Sequence, residues 1–379
     1  MPANKKFTAA ICTVAFSLCA IQVAGAQEFV KIGVAAPLTG NNAAYGQDVE
    51  NGVELAVEDA NAENISIGGK PTQFSIKAED DQADPRIGVL VAQRLVDQNV
   101  SVVIGHFNSS TILPASKIYS AAGMPMINPA ATNAAITQQG SKTIFSIIAT
   151  DAQNAGNAGK YAVEVTQAKR IAILDDRTAF GQGEADNFAH AVKSANGQIV
   201  DRQYTDNKAV DFSAQLTHIK STKADLLFFG GLNPQAAMIA KRMKQLGLHA
   251  QLLGGGGVVE PNFIKLAGNA AEGTMAWEYG HPLTSLPQGK SFEEKYAKKF
   301  GIDMLSYAPF AYDATWIAIK AMQAANSTKA IDYLPQLRSG SFDGITGKIE
   351  FTDSGALKHP ATTLYQVKNG KWVALVTES

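Results

Sequence analysis

Cysteine is almost absent. The chain has two, Cys12 and Cys19, and both fall in its first 26 residues. The remainder cannot form a disulfide, so in an oxidising compartment the fold would rest on its packed core alone. An excess of either charge is missing too: 33 lysines and arginines face 34 aspartates and glutamates, a formal charge of −1. No basic stripe marks a nucleic-acid surface, and no nucleic-acid partner is expected. Beyond the N-terminus there is no apolar run long enough for a membrane span.

Signatures of catalysis are equally scarce. Gly181 and Gly183 are followed by Asp186 where a G-x-G-x-x-G turn needs its third glycine. Thr346, Gly347 and Lys348 resemble the tail of a phosphate loop, but Phe342 stands where its first glycine belongs. There is no G-x-S-x-G elbow. The histidines His106, His190, His218, His249, His281 and His359 are scattered without metal-ligand spacing. These patterns call for no cofactor, no metal and no enzymatic residue. The run Gly254 to Gly257 reads as a loop whose backbone approaches a neighbour closely.

What is present begins with an export signal. Lys5 and Lys6 precede an apolar run from Phe7 to Val23, and Ala24, Gly25 and Ala26 form a small-residue exit. This predicts a secretory signal peptide over 1–26 and a periplasmic destination. A retained membrane anchor and a lipid anchor at Cys19 are the alternatives. Leu18 stands where the latter wants a small residue. Cleavage after Ala26 removes Lys5 and Lys6 and takes the formal charge from −1 to −3. The rest is too long for one ordinary domain and fits two.

From Lys31 onward, short apolar runs alternate with amphipathic stretches. Lys31 to Ala35, Phe74 to Ala78, Val102 to Ile104 and Met124 to Asn128 read as strands. Val49, Val53, Ala56, Val57 and Ala60 share one helical face, Asp84 and Pro85 open a helix, and Ser109 to Tyr119 forms another. A second set is expected from about Ile144, with strands at Ile171 to Leu174, Ile199 to Tyr204, Leu226 to Phe229 and Gln251 to Leu253. Ala236, Ile239, Ala240 and Met243 mark a helix face between them. Strand–helix alternation predicts an α/β fold of two lobes, each a parallel sheet flanked by helices.

In such sheets ligands sit beyond the carboxyl ends of the strands. Two loops qualify. One runs from Gly105 through His106, Phe107, Asn108, Ser109 and Ser110 to Thr111; the other from Pro129 through Ala130, Ala131 and Thr132 to Asn133. Each places hydroxyls and free N–H groups at a helix start, where an anion is favoured. Ser109, Ser110 and Thr132 would serve equally well as helix caps.

The stretches IGVAAPLTGNNAAYGQD, VIGHFNSSTILPAS, INPAATNAAIT, AILDDRTAFGQG and FFGGLNPQ resemble those of periplasmic branched-chain amino-acid-binding proteins. The likeness runs from about Val30 to the C-terminus. It implies a type I, two-lobed binding protein with three hinge crossings. Lobe 1 would comprise 27–148 plus 277–356, and lobe 2 149–276 plus 357–379. It also implies a monomeric solute receptor that hands its ligand to the membrane permease of an ABC transporter.

The resemblance implies roles residue by residue. Ser109 would grip the ligand carboxylate, assisted by backbone N–H groups of Ala130 and Thr132, with the Thr132 hydroxyl facing the ammonium. Phe107 and Asn108 line the same loop. Tyr45 and Phe180 would close the pocket, and Leu232 and Tyr307 would line its side-chain end. The chain departs from the family twice. A disulfide between the positions of Ala83 and Asn108 has lost both halves. The family's acidic partner for the α-ammonium is replaced by Gly256. Either another acid, with Glu278 the candidate, takes that role, or the ligand is an amide or an aromatic or aliphatic carboxylate without an α-ammonium. In the second case Gly256 would enlarge the cavity. A sensory protein that presents a ligand to a membrane receptor, and a periplasmic hydrolase, are the rivals from other classes.

Overall fold

The structure, a computed structural model, describes Met1 and residues 27–379. Apart from Met1, the expected signal peptide, with Cys12 and Cys19, lies outside the described residues. The chain starts with β1 (Glu28–Ala36), α1 (Ala43–Ala62), β2 (Ser66–Ile67), β3 (Lys70–Asp80), α2 (Pro85–Asp97), β4 (Val102–Gly105), α3 (Ser109–Ala121), β5 (Met126–Asn128), α4 (Ala135–Gln138) and β6 (Ile144–Ser146). It continues with α5 (Asp151–Glu164), β7 (Ile171–Asp175), α6 (Ala179–Ser194), β8 (Ile199–Tyr204), α7 (Ser213–Ser221), β9 (Leu226–Gly230), α8 (Asn233–Leu246), β10 (Gln251–Gly254), α9 (Pro261–Ala267) and β11 (Met275–Tyr279). It ends with α10 (Gly289–Phe300), α11 (Ala308–Ala325), α12 (Ala330–Ser339), β12 (Ser341–Gly344), β13 (Gly347–Glu350), β14 (Thr362–Lys368) and β15 (Lys371–Glu378).

Two large sheets result, in the orders β2-β3-β1-β4-β5-β6 and β15-β14-β11-β10-β9-β7-β8. Their central pairs are parallel, and antiparallel neighbours are confined to β2 in one and to β14 and β15 in the other. β4, β7 and β9 are buried along their whole length, as strands covered by helices on both faces must be. The 3.6-residue period of α1 holds: Val49, Val53, Ala56, Val57 and Ala60 all turn inward. α2 starts where expected, because the Asp84 carboxylate accepts the Arg86 N–H at 2.8 Å and Pro85 occupies the first turn.

The chain crosses between the sheets over 147–150, 280–288 and 351–361. Two boundaries differ from the sequence reading. Ile144–Ser146 does not open the second set. As β6 it pairs with β5 at the edge of the first sheet. Nor does the second lobe break off at 276, since β11 runs on to Tyr279 and pairs there with Thr362 of β14. Hydrophobic pattern marks that a strand exists, but only its pairing partner decides which sheet it joins.

One close approach fixes the geometry of the cleft. A Cβ on Gly105 would lie 2.1 Å from the Ala35 carbonyl oxygen, and its φ of +141° is open to glycine. β4 therefore ends tight against β1, and the loop toward α3 leaves from the middle of the sheet.

Candidate functional site

A cavity of about 280 Å³ lies between the facing ends of the two sheets. Phe107, Asn108, Ser109 and Ala130 of the first lobe line it, together with Tyr307 at the start of α11 and Phe180 and Leu232 of the second lobe. Seven of the residues singled out from the sequence therefore meet in one space. Its far end is formed by Asp176, Thr178, Asn207, Lys208, Gln235 and Met238, which the sequence reading did not include. Tyr45 stands behind Phe107, stacked with ring centroids 4.9 Å apart, and meets Tyr307 edge-on at 5.9 Å.

The lobes are in contact around this space. The Ala179 N–H donates to the Ser110 hydroxyl at 3.1 Å, and the Asn133 amide donates to the Ala179 carbonyl at 3.1 Å. Tyr45 donates its hydroxyl to the Gly257 carbonyl at 3.1 Å. These bonds link loops of the first lobe to the start of α6 and to the glycine loop of the second.

The capping alternative for the hydroxyls is not what the fold uses. Ser109 Oγ is buried and has no hydrogen-bond partner, Thr132 Oγ1 is buried beside the Asp151 carboxylate, and Asn108 at the N-cap of α3 makes no side-chain cap. Buried polar atoms are normally satisfied, and the unpartnered Ser109 lines the cavity. The backbone N–H of Ala130, expected to be free, instead donates to Asn128 Oδ1 at 3.1 Å, and that of Ala131 to the same atom at 2.8 Å. Asn128 at the end of β5 folds this loop into an Asx turn and takes those donors itself.

Gly256 does not enlarge the cavity. A Cβ there would lie 2.1–2.3 Å from the ring and hydroxyl of Tyr279. Tyr279 fills the volume a side chain would have taken. Glu278 does not line this cavity. Its Oε2 accepts the Gly257 N–H at 2.9 Å and its Oε1 the Tyr279 N–H at 3.1 Å. It lines a separate cavity behind the glycine loop, with Glu260 and Tyr365. Burial pushes its carboxyl up to about 8, against the two backbone donors.

Two acids missed by the sequence reading lie closer to the buried hydroxyls. A capping box between Thr150 and Gln153 starts α5 so that Asp151 occupies its first turn, and the Asp151 N–H donates to the Thr132 carbonyl at 2.9 Å. Thr178 caps α6 through the Gly181 N–H, and Gly181, Glu184, Ala185 and Phe188 then share its buried face. Packing of α5 on α6 brings Asp151 and Glu184 together. Both acids are buried, with the Thr132 hydroxyl beside Asp151 and the Gly256 backbone beside Glu184. Burial, then the Glu184 charge, holds the Asp151 carboxyl well above the usual range. Burial likewise lifts Glu184 to about 7, against hydrogen bonds from Asn154 and Tyr279. One signal for Glu184 was legible: an acid within an otherwise apolar helical stripe. Asp151 looked like an ordinary first-turn acid.

Among the described residues no group of three or more His, Cys, Asp or Glu side chains is placed to hold a metal ion. No described helix is long and apolar enough to cross a membrane.

Comparison with known proteins agrees with this architecture. The chain is 31% identical over 357 residues to the Leu/Ile/Val-binding protein homolog 2 of Brucella abortus (strain 2308), covering 93% of this chain and 95% of that protein. It is 32% identical over 340 residues to an amino acid binding protein of Pseudomonas aeruginosa, covering 89% and 90%. The crystal structure of a leucine binding protein from Thermotoga maritima superposes with a TM-score of 0.84 at 26% identity, covering 92% of this chain and 98% of that one. The family model described as periplasmic binding protein matches residues 30–371, and the chain belongs to that family.

Proposed function

We propose that this protein is a periplasmic solute receptor that closes its two lobes on a small amino acid, branched-chain or a related aliphatic one, and delivers it unchanged to the permease of an ABC transporter. The observation that carries the reading is the Ser109 hydroxyl, buried without a partner at a cavity whose wall is shared by both lobes. Buried hydroxyls without partners are costly unless something supplies the missing bonds, and a ligand carboxylate does so. The aromatic wall of Phe107, Phe180 and Tyr307, with Leu232, suits an aliphatic side chain. The names of the relatives point to the same ligand class.

Closure is the working step. Contacts from Ser110, Asn133 and Tyr45 to the second lobe are made only when the lobes meet, so a ligand that touches both lobes shifts the equilibrium by its differential affinity. A thermal-shift panel of amino acids, amides and simple carboxylates tests the reading. A ligand at about 100 times its dissociation constant adds about 2.7 kcal/mol, and the melting temperature should rise. No shift with any amino acid would remove the ligand assignment. Recovery of a chemically altered ligand by mass spectrometry would remove the transport reading.

A further inference from the structure

We infer that Glu184, acting with Asp151, supplies the countercharge for the ligand's α-ammonium, and that Tyr279 is the positioning residue that holds Glu184 in place. This rests on the amino-acid reading above and names the feature of the ligand that the site selects. The argument starts from the glycine loop after β10. An ideal Cβ on Gly255 would lie 1.2 Å from Glu184 Oε2. The Glu184 carboxylate therefore occupies the volume beside the loop that a loop side chain would otherwise enter. Next to it, Tyr279 fills the volume at Gly256 and donates its hydroxyl to Glu184 Oε1 at 3.1 Å. The Asn154 amide donates to the same oxygen at 3.1 Å and is itself anchored on the Trp277 carbonyl. Oε1 is thus held from two sides, while Oε2 lies against the backbone of Gly255 and Gly256.

Asp151 approaches from the crossing between the lobes, and the Thr132 hydroxyl stands beside its buried carboxylate. Two buried carboxylates and a hydroxyl oxygen are thus neighbours, and neither acid forms an ion pair with a lysine or arginine of the described residues. A group that donates several hydrogen bonds and carries positive charge satisfies that arrangement, and an α-ammonium has three N–H donors. Thr132 belongs to the first lobe and Glu184 to the second. The ammonium is therefore gripped fully only in the closed form, and the pair discriminates against carboxylates that lack an amino group. Removing the charge at Glu184 leaves a buried ammonium short of a partner, whereas a desamino ligand never needed one.

The test measures, by calorimetry, affinities for the standard amino acids and for their desamino analogues, 4-methylpentanoate for leucine, in the full-length mature protein. Glu184→Gln keeps the size of the side chain and removes the charge; Asp151→Asn serves as the second variant should the first not fold. The amino acid that binds wild type should lose at least about 30-fold in Glu184→Gln relative to its desamino analogue. Tyr279→Phe should lower the same ratio by a smaller factor with an unchanged melting temperature, which a role in packing alone would not do. An unchanged ratio in both acid variants, with amino acids bound, overturns this inference and leaves the receptor reading intact. Binding only of desamino carboxylates by wild type also overturns it, while keeping a solute receptor of another ligand class. Binding of neither class overturns both.

Discussion

The Tyr45 hydroxyl, in the first lobe, donates a hydrogen bond to the carbonyl of Gly257 in the second, 3.1 Å away. Its ring is held by stacking on Phe107, so the hydroxyl is presented to the other lobe without freedom to turn aside. Tyr45→Phe keeps the stack and removes only the latch. The buried carbonyl would lose a hydrogen bond worth about 1–1.5 kcal/mol, and the ligand should leave about tenfold faster. Stopped-flow fluorescence should show the change in the dissociation rate, with the association rate nearly constant. An unchanged dissociation rate would show that this bond contributes nothing to closure.

The polar end of the ligand is tested at two buried hydroxyls, Ser109 for the carboxylate and Thr132 for the ammonium. Ser109→Ala and Thr132→Ala should each cost about 1.5–3 kcal/mol of ligand affinity, roughly tenfold to a hundredfold. The Ser109 hydroxyl has no protein partner, so in Ser109→Ala the ligand-free melting temperature should hold steady or rise slightly. A large loss of ligand-free stability would mean that this group serves the fold.

The buried acids set a pH dependence. Burial lifts Asp48, Asp176 and Asp313 to about 6, Glu184 to about 7 and Glu278 to about 8. In the unfolded chain such groups titrate near 4. Between roughly pH 4 and 8 the folded protein thus holds protons that the unfolded chain has released, and stability falls as pH rises through that window. The ligand-free protein should melt at a higher temperature at pH 5.5 than at pH 8.5. Glu278→Gln should flatten the upper part of the decline. A melting temperature that rises across the window would contradict this assignment.

Gly256 and Tyr279 should behave as one unit. Gly256→Ala places a Cβ 2.1–2.3 Å from the tyrosine, so in the wild-type background it should destabilise the protein by about 1–3 kcal/mol. In a Tyr279→Ala background the same change should cost far less, a coupling above about 1 kcal/mol in a urea-denaturation cycle. Additive effects would show that the two side chains do not compete for this volume.

Much of the architecture was legible in the residues themselves. The apolar face of α1, the Asp84–Pro85 start of α2 and the apolar runs of β4, β7 and β9 are local patterns, each set by helical or strand periodicity and by cap chemistry within a few residues. The loops after β4 and β5 were legible as binding loops for the same reason, since their position at strand ends follows from the alternation alone. Ser109 could be singled out there, but whether its hydroxyl capped a helix or faced a ligand could not.

That choice, and the identity of the acids, belonged to the tertiary structure. Glu184 and Asp151 lie 33 positions apart on different helices, and only the packing of α5 on α6 makes them neighbours. Gly256 read as a vacancy in the chain. It is filled in the fold, because Tyr279 from the adjacent strand occupies its space. Glu278, next to Tyr279, faces two backbone donors instead of the cavity, since successive strand residues point to opposite faces. Periodicity reports which face of an element is buried. Which groups then share a volume, and which are left without a partner, is decided only when separate elements exclude water from the same space.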